Sequence, residues 1–150
     1  MERTKIDILD RLDKSPGQVM IKGWVRTKRD AKQFSFMEIN DGSCLGNMQV
    51  IANEDLENYS LIQKITAGTS LSISGELVPS PGKGQKWEIQ ATHVDIISIA
   101  PDTYPLQKKR HSDEFLRTIA HLRPRTNKFG AAFRIRSEMS YAIHKFYRDK

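Results

Sequence analysis

From Gln18 the chain alternates with a period of two. Val19, Ile21, Gly23 and Val25 fall on one side, and Met20, Lys22, Trp24 and Arg26 on the other. Successive side chains of a strand point to opposite faces, so this pattern predicts a strand with one buried face. After a polar loop at residues 30–33, Met37 and Ile39 alternate with Phe34, Phe36, Glu38 and Asn40. Asp41-Gly42 then signals a turn, because a glycine tolerates the positive φ that turns demand. Met48 and Val50 alternate with Asn47 and Gln49 in a third strand. The period then lengthens. Asn53 ahead of Glu54, Asp55 and Glu57 predicts a capped helix with an acidic first turn, and Gly68 marks its far end. Leu56, Tyr59 and Ile62 would form its inner side. Two further strands follow. Leu71, Ile73, Gly75 and Leu77 alternate with Ser70, Ser72, Ser74 and Glu76. Past the turn-rich residues 79–85, Trp87, Ile89 and Ala91 alternate with Lys86, Glu88 and Gln90, and the strand runs toward Ile99.

Helical patterns flank this block. Thr4 and Asp7 suggest a helix start, with Ile8 and Leu12 four apart and a stop at Ser15-Pro16-Gly17. From Phe133 onward, Ile135, Met139, Ala142, Ile143 and Phe146 share one helical face. Between barrel and helix, Pro124 stands between Arg123 and Arg125. Proline lacks an N–H and restricts the residue before it, so this stretch is predicted to be a connector of fixed shape.

Three strands, a helix and two strands form the layout of an OB-fold. The expected class is therefore all-β: a five-stranded Greek-key barrel with a helix between strands 3 and 4, a short N-terminal helix and a C-terminal helical extension. The expected organisation is a barrel over residues 1–100, a hinge over 101–130 and the opening helix of another domain over 131–150. In such a barrel the ligand face lies on strands 2 and 3, flanked by the strand 1–2 and 4–5 loops.

Parity decides what that face presents. With Met37, Ile39, Met48, Val50, Trp87 and Ile89 inside, Phe36, Gln49 and Glu88 point outward. Arg26 and Lys28 follow the outward parity of the first strand, beside Arg29 and Lys32 in the basic loop. An exposed ring stacks on any base, at about 1–3 kcal/mol by alanine substitution. Amide and carboxylate groups read a base edge, and the cations hold phosphates. The competing reading, a Phe36 buried by a one-residue register slip, would remove the stacking platform.

The charge sharpens this picture. The net charge is +6, but residues 1–100 hold 12 Lys and Arg against 13 Asp and Glu, a balance of −1. Residues 101–150 hold 12 against 5, a balance of +7. A nearly neutral barrel excludes indiscriminate phosphate attraction, so its nucleic-acid site must be local. The basic tail is a separate feature, readable as a solvated linker and helix face. Hydrophobic residues make up 38%, the mean hydropathy is −0.55, and no apolar run approaches the ~20 residues that span a membrane. The charged start lacks an apolar signal-peptide core. The single cysteine, Cys44, forms no internal disulfide, and a cytoplasmic setting is expected. Gly82-Lys83-Gly84 lacks the Gly-Lys-Ser/Thr of a P-loop. His93, His111, His121 and His144 lack metal-ligand spacing, and no catalytic constellation stands out.

Particular motifs resemble a known family. Gly23-Trp24-Val25-Arg26-Thr27-Lys28-Arg29-Asp30 is similar to a signature of the aspartyl, asparaginyl and lysyl tRNA synthetases. Tyr104-Pro105, Lys109-Arg110-His111 and His121-Leu122-Arg123-Pro124-Arg125-Thr126 resemble the junction between anticodon barrel and catalytic domain in asparaginyl-tRNA synthetases. The long turn at residues 41–46 points the same way. The resemblance implies that Phe36 stacks on the central uridine of the anticodon, that Gln49 reads it, and that Arg29 and Glu88 lie on the anticodon face. Arg26, Lys28 and Lys32 would hold the tRNA backbone. It further implies a parent that joins asparagine to tRNA(Asn) with ATP and magnesium, as a homodimer. The final helix resembles the start of the family's motif 1. The proline closing that motif, and motifs 2 and 3, are absent from this sequence. The chain is thus expected to be a front portion, inactive alone and without its own cofactor, whose last helix self-associates. An aspartyl-type synthetase and a free-standing OB-fold single-strand binder are the alternatives.

Overall fold

The computed structural model describes residues 2–150 and divides them into two compact units, met at Lys108 and Lys109. The first unit is a closed barrel with strand order β1-β2-β3-β5-β4. The strands are β1 (Gln18–Asp30), β2 (Phe34–Asn40), β3 (Met48–Asn53), β4 (Ser70–Pro79) and β5 (Trp87–Ser98). The long β1 pairs with β4 over Gln18 to Trp24 and with β2 from Trp24 onward, both antiparallel, which bends the sheet round on itself. A short parallel pairing of β3 with β5 completes the closure. This is the five-stranded layout expected from the pattern, with a short helix between the third and fourth strands.

Its interior is what the alternation called for. Val19, Ile21, Val25, Met37, Ile39, Met48, Val50, Leu71, Ile73, Leu77 and Ile89 are all buried. At roughly 1.5–3 kcal/mol for each fully buried large aliphatic, this core is the main stabilising element. Gly75 sits where the β4–β5 register shifts. A Cβ there would come within 2.2 Å of the Gln90 carbonyl oxygen, so no larger residue fits. Gly68 combines a φ of +92° with the ring of Tyr104 packed where its side chain would be, and so fits only glycine.

Both helices of this unit differ from expectation. The first, α1, spans Ile6–Asp10 and buries Ile6 and Leu9, leaving Ile8 exposed. Thr4 does not cap it. The Thr4 amide instead donates to the Met20 carbonyl. Asp41 Oδ2 accepts from the Ile6 amide at 3.1 Å and Ser43 Oγ from the Asp7 amide at 3.1 Å, so the β2–β3 turn caps this helix from a distance. The second, α2, is only Tyr59–Ile62. Asn53 ends β3 instead of capping, and the residue at the cap position, Asn58, donates its amide to the Val94 carbonyl.

The second unit holds α3 (Asp113–Thr118), a 3₁₀ turn at Arg123–Arg125 and the long α4 (Asn127–Asp149). The sequence reading treated the α3 segment as hinge. Ser112 Oγ accepts from the Phe115 amide, with Asp113 and Glu114 in the first turn, a complete helix start. Pro124 stands in the 3₁₀ turn, where its missing N–H costs little. The Arg123 guanidinium lies over Phe129 and Phe133, at 5.1 and 5.6 Å. On α4, Ile135, Met139, Ile143 and Phe146 are all more than half exposed.

Candidate nucleic-acid interface

On the outer face of β2 and β3 lies a groove of about 590 Å³, lined by Lys28, Arg29, Phe36, Gln49, Glu88 and Lys108 among others. Strand register explains the convergence. Arg29 stands opposite Phe36, Glu38 opposite Gln49, and Gln49 opposite Glu88 across three adjacent pairings. Phe36 is half-buried. It packs edge-on against Phe34, with centroids 5.0 Å apart, and the Arg29 guanidinium lies 4.9 Å from its ring centre. The ring is held in place yet keeps surface for stacking.

Gln49 and Glu88 are joined. Gln49 Nε2 donates to Glu88 Oε2 at 3.1 Å, and Ser80 Oγ donates to the same oxygen at 2.9 Å. Ser80 Oγ in turn accepts from the Gly82 amide at 3.1 Å and from Gln85 Nε2 at 2.8 Å. The β4–β5 loop is thereby fastened to Glu88. The outward parity expected for Glu88 holds, but the residue is only 3% exposed, because the loop covers it. Neither Ser80 nor Lys108 was assigned to this face from the sequence. A serine two residues before a glycine gives a local turn signal, but nothing in it points to Glu88.

The cations divide. Arg29 is exposed beside the ring. The parity expected for Lys28 fails, because β1 carries a bulge between Val25 and Thr27. An extra residue reverses the alternation, so Thr27 and Arg29 join the outer face and Lys28 pairs with the inward Met37. The Lys28 side chain is 10% exposed, and its Nζ pairs with Asp30 at 3.0 Å. It also donates to the carbonyls of Ile62 and Gln63 at the end of α2. Its charge is engaged by Asp30 and by these two carbonyls. Arg26 is half-buried at the bulge, and Lys32 is exposed on the β1–β2 loop; neither lines the groove.

Burial pushes the Asp30 carboxyl upward. The Ser35 hydroxyl and the Lys28 ammonium outweigh it and hold the group below its ordinary range. Among the described residues no group of three or more His, Cys, Asp or Glu is placed to hold a metal ion. Among the described residues no helix is long and apolar enough to cross a membrane.

A closed five-stranded barrel with a ring, an amide, a carboxylate and a cation on its β2–β3 face has the build of an oligonucleotide-binding fold. The comparison with family models narrows this. Residues 19–97 match the OB-fold nucleic acid binding domain of the tRNA anticodon type, and the chain belongs to that family. It is 60% identical over 152 residues to an asparagine–tRNA ligase of Oleidesulfovibrio alaskensis, covering 99% of this chain and 32% of that protein. The chain thus spans about a third of the length of the curated relatives it matches. Among solved structures, an asparaginyl-tRNA synthetase from Pyrococcus horikoshii matches 97% of this chain and 35% of its own, with 20% identity and a TM-score of 0.81. The asparaginyl-tRNA synthetase of Entamoeba histolytica in complex with asparaginyl-adenylate matches 93% of this chain and 34% of its own, with 26% identity and a TM-score of 0.75.

Proposed function

We propose that this chain is the anticodon-recognition part of an asparagine–tRNA ligase and that its groove receives the central uridine of the tRNA(Asn) anticodon loop. The observation that carries this reading is the meeting of Phe36, Gln49 and Glu88, from three different strands, in one groove beside Arg29. An unpaired base stacks on Phe36 while the Gln49 amide faces its edge, and Arg29 holds the adjoining phosphate. The similarity to asparagine–tRNA ligases supports the choice of tRNA. In the longer enzyme, residues 101–130 act as a hinge and residues 131–150 open the catalytic domain. That enzyme joins asparagine to its tRNA with ATP and magnesium, in the cytoplasm and as a homodimer. ATP and magnesium are assigned no residue within 1–150, and this chain alone is expected not to aminoacylate.

Titration of an anticodon stem-loop RNA into the chain tests the reading. Phe36→Ala should weaken binding by about 1–3 kcal/mol and leave the circular dichroism melt close to that of the parent. Unfolding of the variant, or binding equal to the parent's, contradicts the stacking role.

A further inference from the structure

The chain does not leave the barrel where β5 ends. Ala100 and Thr69 are both buried, and the Ala100 amide donates to Thr69 Oγ1 at 3.2 Å. Pro101 then opens a turn, closed by the Tyr104 amide donating to the Pro101 carbonyl at 2.9 Å. The Tyr104 ring lies against Gly68, within 2.7 Å of where a Cβ would stand. Gly68 and Thr69 are themselves bonded to β1. The Gly68 amide donates to the Val25 carbonyl at 2.8 Å, and the Val25 amide donates to the Thr69 carbonyl at 2.9 Å. A second short turn follows. The Gln107 amide donates to the Pro105 carbonyl at 3.1 Å, and Gln107 Nε2 donates to the Tyr104 carbonyl at 2.7 Å. Pro101 and Pro105 each fix one φ, which reduces the freedom the segment would gain by detaching. The segment therefore follows one path along the barrel, and its last residue, Lys108, lines the groove with Phe36, Gln49 and Glu88.

The other charged residues lining that groove are Lys28, Arg29, Glu38 and Glu88. Lys28 is paired with Asp30. Without Lys108 the lining would set one cation, Arg29, against two carboxylates, a poor match for a polyanion. Lys108 is exposed and makes no ion pair among the described residues. We propose that residues 100–108 form a strap that presents the Lys108 ammonium to a phosphate of the RNA in the groove, with Tyr104 as the positioning residue that seats the strap on Gly68. This rests on the anticodon reading above and adds a backbone contact to it. Such a contact carries no base information; it adds affinity that fades as salt rises. A residue of the connector thereby becomes part of the RNA site.

The test measures fluorescence anisotropy of an anticodon stem-loop RNA at several salt concentrations. The proteins are the parent chain, K108A, Y104A, the double variant Y104A/K108A and K109A. K108A should weaken binding several-fold at low salt. It should also lower the slope of log affinity against log salt by about 0.7, the share of one phosphate contact on a single strand. K109A removes the same charge one residue further on and should change the slope much less. Y104A should repeat the effect of K108A, and the double variant should bind no more weakly than K108A, because Tyr104 acts through the lysine. A merely structural Tyr104 predicts a lowered melting temperature, an intact salt slope and losses that add in the double variant. A parent that does not bind the stem-loop overturns the anticodon reading, and the strap with it. A parent that binds while K108A equals it, or while K109A loses as much as K108A, overturns the Lys108 contact alone. Additive losses overturn the role of Tyr104. Should Y104A not fold, insertion of two glycines between Gln107 and Lys108 leaves the ring seated and releases the lysine. A slope near that of K108A then supports the strap, and a slope equal to the parent's overturns it.

Discussion

At the scale of single residues, the barrel separates groups that bind from groups that hold. Lys28 and Arg29 are neighbours in a basic run, yet the bulge after Val25 sends them to different surroundings. Arg29 stands over the Phe36 ring, while the Lys28 ammonium joins Asp30 to the closing carbonyls of α2. The two should therefore respond differently to mutation. Lys28→Met leaves those partners without their donor, and loss of a charged, largely buried hydrogen-bonding group costs about 1–3 kcal/mol. The variant should show a lowered melting temperature with RNA affinity almost unchanged. A large loss of affinity at an unaltered melting temperature would return Lys28 to the phosphate-binding set.

At the scale of elements, alternation made the barrel legible, because one buried face per strand leaves a period of two and a register that cannot slip. Val19, Ile21 and Val25, Met37 and Ile39, and Met48 and Val50 all lie inside as read. The same logic brought Phe36, Gln49 and Glu88 to one face. It failed wherever the signal was tertiary. A bulge has no mark in the sequence Val25-Arg26-Thr27, and it turned Lys28 inward. Asn53 looked like a helix cap but is absorbed by β3, and α2 shrinks to a single turn. Helix α1 is shorter than typical helices and draws its cap from Asp41 and Ser43, over thirty residues on, which no local pattern reveals. That distant cap carries its own pH dependence. Burial raises the Asp41 carboxyl, but the Ser43 hydroxyl and amide, the Ile6 amide and Arg3 together bring it below its ordinary 3.8. A carboxyl depressed in the folded state adds stability that is complete above its unfolded value and is lost as pH falls through the folded one. The parent should thus lose stability below about pH 4, and Asp41→Asn should be less stable at neutral pH with a shallower acid slope. Denaturant melts at a series of pH values check this; parallel slopes for parent and variant would remove Asp41 from the account.

At the scale of the whole molecule, charge and apolar surface are divided between the two units. The barrel half of the sequence is close to neutral and the tail strongly basic, so affinity for RNA through the groove should be specific to sequence where affinity through the tail is not. Helix α4 leaves Ile135, Met139, Ile143 and Phe146 in water along one stripe, and covering each is worth roughly 1.5–3 kcal/mol. The expected consequence is self-association through α4. Sedimentation should give a concentration-dependent dimer for the chain and a monomer for Met139→Glu; a monomer in both excludes it. The central claim is recognition of one base by the β2–β3 groove, and the most direct measurement compares two losses of affinity in one assay. The anticodon stem-loop of tRNA(Asn) is titrated into the parent, the same stem-loop with its central uridine replaced is titrated likewise, and the original RNA is titrated into Lys32→Ala. Replacing the uridine should weaken binding more than removing the loop cation Lys32. Equal affinity for every single-stranded loop of that length, or a larger loss from Lys32→Ala, would contradict the account.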